Sequence, residues 1–132
     1  MDLKRNEIAV RKVYEPLIKS KRLTTFFRPL NRIFPNYRGY KEGETVKIKI
    51  IEVVGSDIHN IPPKFSKEEF PAKIISIKIK KFNDLTEEDD FNGSSPDVTD
   101  KESLAYHLGL IYNTSMEKIE QSEITRIEVK YL

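Results

Sequence analysis

SKRLTTFFRP, residues 20–29, is the stretch on which the reading of this chain turns. Upstream lies a short apolar run, YEPLI, residues 14–18. Two cations follow, Lys21 and Arg22, and then Leu23-Thr24-Thr25-Phe26-Phe27, a run rich in β-formers. Arg28-Pro29 ends that run, because proline offers no N–H to a ladder and holds its predecessor extended. A helix end, a basic turn and a strand start therefore share ten residues. Such a layout sets Lys21, Arg22, Thr24 and Arg28 at a strand mouth, where a ligand's phosphate could be held. An ordinary solvated surface turn fits the same residues.

Outward from this stretch, EIAVRKV (residues 7–13) alternates loosely and reads as a strand. Pro16 argues against one long helix from there to Lys19, since proline inside a helix costs about 3 kcal/mol and little at the first turn. A short helix from about Glu15 to Ser20, burying Leu17 and Ile18, is preferred. A kinked helix over 6–19 with Val10, Val13, Tyr14 and Leu17 inward is the alternative. After Pro29, residues 30–43 form a loop punctuated by Pro35, Asn36, Gly39 and Gly43. It interleaves Arg32, Arg38 and Lys41 with Phe34, Tyr37 and Tyr40. Cations for phosphates and flat rings for bases are what a single-stranded nucleic acid requires. Aromatics in such a loop also serve to plug the end of a barrel.

TVKIKIIEVV (45–54) places Val46, Ile48 and Ile50 on one face and Lys47 and Lys49 on the other, then shifts phase at Ile51 and Val53. A bulge, or a strand buried on both faces, accounts for the shift. Residues 56–69 read as loop, with His59 facing solvent. Residues 72–82 read as a strand, with Ile75, Ile77 and Ile79 on one face and Lys78 and Lys80 on the other. The two lysine ladders form either solvated faces or one basic wall. Thr86 caps a turn over Glu87–Asp90, whose acids do not follow the offsets of a calcium loop. Thr99–Glu102 reads as a capping box opening a helix to about Tyr112, with Leu104, Leu108 and Ile111 at helical spacing and His107 beside them. No nucleophile–His–acid arrangement is readable. Residues 114–121 link to a last strand in which Ile127, Val129 and Tyr131 share a face.

With 132 residues there is room for one domain. Strands outnumber helices and no βαβ alternation appears, which indicates an α+β chain: a small mixed β-barrel with two or three peripheral helices. The absence of cysteine excludes disulfides and thiolate chemistry. No metal or other cofactor site is expected. No apolar run approaches membrane-spanning length and the N-terminus is no signal peptide, so the expected location is cytoplasmic, with no membrane partner. Richness in Ile, Lys and Glu leans toward a thermophilic source. Charge is uneven. Residues 1–50 carry thirteen Lys/Arg against five Asp/Glu, and residues 51–132 carry ten against sixteen. An anionic partner for the first half follows, unless the halves neutralise each other in the fold.

The helix, basic turn, threonine-rich strand and Arg-Pro of 14–29 resemble the ASCH domain of the PUA-like superfamily. On its signature, GxKxxExR, the glycine falls on Lys21, the lysine on Leu23, the acid on Phe26 and the arginine on Arg28, which alone matches. GYKEGETVKIKIIE (39–52), FPAKIISIKIKKFNDLTEEDD (70–90), SLAYHLGLIYN (103–113) and ITRIEVKYL (124–132) resemble later segments of the same family in the same order. The resemblance implies a PUA-like barrel with its cleft beside the turn at 20–28, and binding of RNA or another nucleic acid, single strands included. The residues implicated are Lys21, Arg22, Thr24, Arg28, Arg32, Tyr37, Arg38 and Tyr40. The C-terminal half is similar to bacterial acetylcytidine amidohydrolases. Their lysine and threonine fall on Leu23 and Phe26, and their glutamate near Gly93. Neither leucine nor phenylalanine moves protons or attacks carbonyls, so that chemistry is absent unless Lys21 with Thr24 or Thr25 serve from shifted positions. A hydrolase of a modified nucleoside or of RNA, and a non-catalytic reader of a modified base or nucleotide, remain the alternatives. Arg28 either grips a ligand anion or locks its turn through an acid such as Asp84.

Overall fold

The computed structural model describes residues 5–36, 38–56 and 58–132. In chain order the strands are β1 (Glu7–Arg11), β2 (Thr25–Pro29), β3 (Thr45–Val53), β4 (Lys64–Lys81) and β5 (Glu123–Tyr131). The helices are α1 (Glu15–Lys19), α2 (Lys101–Ile111) and α3 (Met116–Glu120), with 3-10 turns at Lys12–Tyr14 and Phe82–Asp84. One sheet holds all five strands in the order β1-β3-β4-β5-β2. Only β1 with β3 is parallel. The expected barrel is thus a half-barrel in a mixed α+β chain: β1 and β2 are its free edges and do not pair with each other.

The concave side holds the main core, built from Ile8 and Val10 of β1, Phe26 of β2, Val46, Ile48 and Ile50 of β3, Ile74 and Ile77 of β4, and Ile127 and Val129 of β5. Burying each such side chain stabilises the fold by about 1.5–3 kcal/mol. A second cluster covers the convex side of β2 and β5. There Phe27 and Ile124 pack under Phe82, Leu85, Phe91, Val98, Leu104, Leu108 and Ile119. Hence β2 and β5 are buried on both faces at this end, while β4 alternates.

Several expectations hold. The short helix carries Pro16 in its first turn and buries Ile18. The phase shift in β3 is a double irregularity at Lys49, Ile51 and Val53, where Ser66 Oγ accepts from Ile50 N at 3.1 Å in place of a ladder carbonyl. Others need correction. The loop expected at 56–69 ends at 63, because β4 begins at Lys64. Its charged first third hides it from a hydrophobic pattern; Glu69 pairs with Lys47 and Lys49 across the strands. Pro71 sits inside β4 where the ladder to β5 ends. Its carbonyl accepts from Leu132 N, just beyond the last β5 pair at Tyr131, so its missing N–H falls at the end of that ladder. Ile75 does not share a face with Ile77: a bulge between Ile74 and Ser76 turns Ile75 outward, and Ile74 and Ile77 inward. The capping box starts one residue later than Thr99. Asp100 Oδ1 accepts from Ser103 N at 2.8 Å, and Ser103 Oγ accepts from Asp100 N at 3.1 Å. The expected linker at 114–121 contains α3, capped by Ser115 and buried through Ile119. Five residues are too few for periodicity to register. No helix among the described residues is long and apolar enough to cross a membrane.

Candidate functional site

A cavity of about 270 Å³ opens where the two free edges of the sheet approach under α2. Ala9, Val10 and Arg11 of β1 form one wall, Phe26, Phe27 and Arg28 of β2 the other, and Leu104, His107, Leu108 and Ile111 of α2 the roof. The loop after β2 contributes Arg32, Arg38 and Tyr40. Four arginines therefore line one small space, and among the described residues no aspartate or glutamate does. Guanidinium groups gathered around one hollow can hold an anion.

Local structure fixes each arginine. Arg28 points inward from β2; its Nη1 donates to Phe27 O at 2.9 Å and its Nη2 to Ala9 O at 3.0 Å. The proposed partner Asp84 is not used: carbonyls of both edge strands hold the guanidinium, and its positive charge stays unneutralised by them. Arg32 is anchored twice, its backbone N to Thr125 Oγ1 at 2.8 Å and its Nε to Pro29 O at 2.9 Å. Its guanidinium lies 5.9 Å from the centre of the Tyr112 ring. Tyr40 is buried, and its hydroxyl donates to Glu7 O at 2.7 Å. Burial pushes that hydroxyl's pKa up, against the pull of Arg28, Arg32 and Arg38, so three of the arginines gather about one ring. Tyr40 thus belongs to the main core and to the cleft wall at once.

At the other end stands a polar cluster that no sequence spacing announced. Tyr14 O–H lies 2.9 and 2.7 Å from Asp97 Oδ1 and Oδ2 and donates to that carboxylate, and the same oxygen lies 3.2 Å from His107 Nε2. Ser95 Oγ also donates to Asp97 Oδ1, at 2.7 Å. Burial and the Asp97 hydrogen bond push the Tyr14 hydroxyl up to about 12. Burial would raise the Asp97 carboxyl, but the hydrogen bonds from Tyr14 and Ser95 outweigh it and hold it low. Burial lowers His107, helped by Arg11 and Arg28 and opposed by Asp97. Tyr14 and His107 are 93 residues apart in the chain; only the packing of α2 across the β1 edge brings them together.

The anticipated residues divide. Arg28, Arg32, Arg38 and Tyr40 meet at the cleft. Lys21, Arg22 and Thr24 do not line it. Lys21 is exposed at φ 62°, Arg22 Nε donates to Ser20 Oγ at 3.0 Å, and Thr24 is stitched between Gly93 O and Val129 N. Tyr37 lies outside the described residues. Arg11, Tyr14, His107 and Tyr112 line the cleft and were not anticipated. The positions matched to the amidohydrolase lysine and threonine, Leu23 and Phe26, are buried in the main core. Gly93, matched to the glutamate, presses its carbonyl on Thr24 N and Thr25 N at 2.9 and 3.1 Å. A Cβ there would stand 2.2 Å from Thr24 Oγ1. Among the described residues no group of three or more His, Asp or Glu stands where it could hold a metal.

No family model matches the sequence, and no curated protein matches it either. Two solved structures share the architecture. The crystal structure of hypothetical protein PH0355 has 17% sequence identity and a TM-score of 0.54, over 96% of this chain and 97% of that one. The solution structure of protein PF0455 from Pyrococcus furiosus has 16% identity and the same TM-score, over 96% of both chains. Likeness at this identity shows the fold.

Proposed function

We propose that this chain is a nucleic-acid-binding module of the ASCH/PUA-like type, and that the arginine-lined cleft takes a nucleotide unit of single-stranded RNA. The observation that carries the reading is that, among the described residues, four arginines and no acid line one cavity, alongside Tyr14, Tyr112 and His107. At about 270 Å³ the space suits a single splayed-out nucleotide rather than a duplex. RNA recognition commonly works this way, with cations on phosphates and rings on unstacked bases. Resemblance to the ASCH segments, quoted above, supports the same reading. The two architectural neighbours, one from Pyrococcus furiosus, accord with a thermophilic source. Amidohydrolase chemistry is disfavoured because Leu23 and Phe26, at the matched positions, neither move protons nor attack carbonyls.

Binding of single-stranded RNA, double-stranded RNA and DNA across a series of salt concentrations tests the proposal. Preference for single-stranded RNA, weakening with salt, is expected. No affinity for any of the three at low salt would sink it. Purified protein should show no turnover of acetylcytidine above background.

A further inference from the structure

The rim of the cleft carries a histidine whose surroundings are set for a change of charge. His107 Nε2 lies 3.2 Å from the Tyr14 oxygen. Tyr14 has one proton and directs it to Asp97, so the Tyr14 oxygen accepts from His107 Nε2–H. That leaves Nδ1 of the neutral ring without a proton, 3.8 Å from Asp97 Oδ2. The distance is too long for a hydrogen bond and short enough for an ion pair. The charged and titratable groups facing the ring come from every packed element: Arg11 ends β1, Tyr14 ends the 3-10 turn, Arg28 comes from β2, and Asp97 from the loop before α2.

We infer that His107 is a ligand-binding group of the cleft, neutral while the cleft is empty and protonated when an anion enters. The proposal rests on the reading of the cleft as an anion site. Arg11, Arg28 and His107 line the same cavity, so an anion seated against the two arginines also faces the imidazole. Without an anion, burial and the two arginine charges push the ring toward its neutral form, and Asp97 pulls the other way. An anion cancels the arginine field and adds its own pull to that of Asp97, so that burial alone opposes the two. Nδ1 then takes a proton from solvent and turns toward Asp97 or the anion, adding a cation to the cradle. The sign follows from linkage. A group with a higher pKa in the complex than in the free protein makes binding take up a proton. Affinity then rises as pH falls through the complex's pKa, by up to about tenfold per pH unit for one proton, and levels off below the free protein's value.

The chain has two histidines, His59 and His107, so both imidazole signals are resolvable by NMR, and His107→Gln assigns them. Two probes keep a constant charge near neutral pH: sulfate, and an oligouridylate without terminal phosphate. The expected result is that either probe raises the His107 midpoint and leaves His59 unmoved, and that oligouridylate affinity rises on acidification in the wild type but stays flat in His107→Gln. Sulfate keeps the test independent of RNA. A His107 midpoint moved by sulfate, with no oligouridylate binding, upholds the proton linkage and removes the RNA reading. Oligouridylate binding with no movement of the His107 midpoint and no pH dependence overturns the inference and leaves the RNA reading intact. No movement with either probe and no binding overturns both.

Discussion

Arg28 Nη2 donates to the Ala9 carbonyl at 3.0 Å, from near the end of β2 to the middle of β1, the two free edges of the half-barrel. A side chain thus crosses the seam that no backbone ladder closes. The same guanidinium forms cleft wall, so the residue ties fold to site.

Replacing Arg28 with Lys keeps the charge and loses the fork that reaches two carbonyls. Loss of this partly buried charged donor should cost about 1–3 kcal/mol, a drop of several degrees in the melting temperature. Thermal unfolding measures it, and an unchanged midpoint would remove the clamp. Any added role toward a ligand is read at a temperature well below melting, where the variant is folded.

The cleft arginines should separate from the turn cations. Arg11→Gln and Arg32→Gln should each weaken single-stranded RNA binding and lower the salt slope by about one unit. Lys21→Gln and Arg22→Gln, outside the cavity lining, should leave that slope nearly unaltered. Equal losses in all four variants would mean a diffuse basic surface rather than a cleft.

Acid should loosen the convex side of the sheet through Asp90. Its carboxylate, 2% exposed, accepts from Lys80 Nζ at 2.9 Å and Thr86 N at 2.7 Å. Burial would raise its pKa, but the Thr86 backbone bond and the Lys80 ammonium outweigh that and hold it below the usual range. The stabilisation is therefore present above the unfolded-chain value of about 3.9 and lost as pH falls through the folded value. Asp90→Asn should lower stability by about 1–3 kcal/mol at neutral pH and flatten the acid limb of the stability curve. Urea unfolding from neutral pH into that limb checks both, and an acid limb as steep as the wild type's would count against it.

Gly93→Ala should be costly, because φ is +79° there and the new Cβ would stand 2.2 Å from Thr24 Oγ1. The left-handed backbone alone costs about 1 kcal/mol or more in a residue with a side chain, and the clash adds to it by prising the 91–94 loop from β2. Denaturant unfolding gives the number. A variant as stable as the wild type would show that the seal over Thr24 and Thr25 yields freely.

Local rules carry far in this chain. Pro16 placed α1, and the β-formers after Arg22 placed β2 to within two residues, though it runs from Thr25 through Pro29 instead of stopping at Phe27. The alternation at 45–50 placed β3 with its core face, and the phase break at Ile51 left a bulge or a doubly buried strand as its readings. These features depend on neighbours in sequence, so the sequence by itself determined them. It also determined that cations concentrate in the first fifty residues. What only the tertiary structure decided is which of those cations share a space. Lys21 and Arg22 sit in the turn after α1, closed on the Ile18 and Leu17 carbonyls, and do not line the cleft. Arg11 lies in an unremarked strand end and lines the cavity because β1 is a free edge. Tyr14, Asp97 and His107 meet across 83 and 93 residues of chain. Their meeting depends on α2 packing its Leu104 and Leu108 against the convex core, where Phe27 lies. Hydrophobic burial is non-directional, so a residue pattern tells which face of α2 goes inward. The strand edge it comes to rest beside is set by the packing of the whole chain.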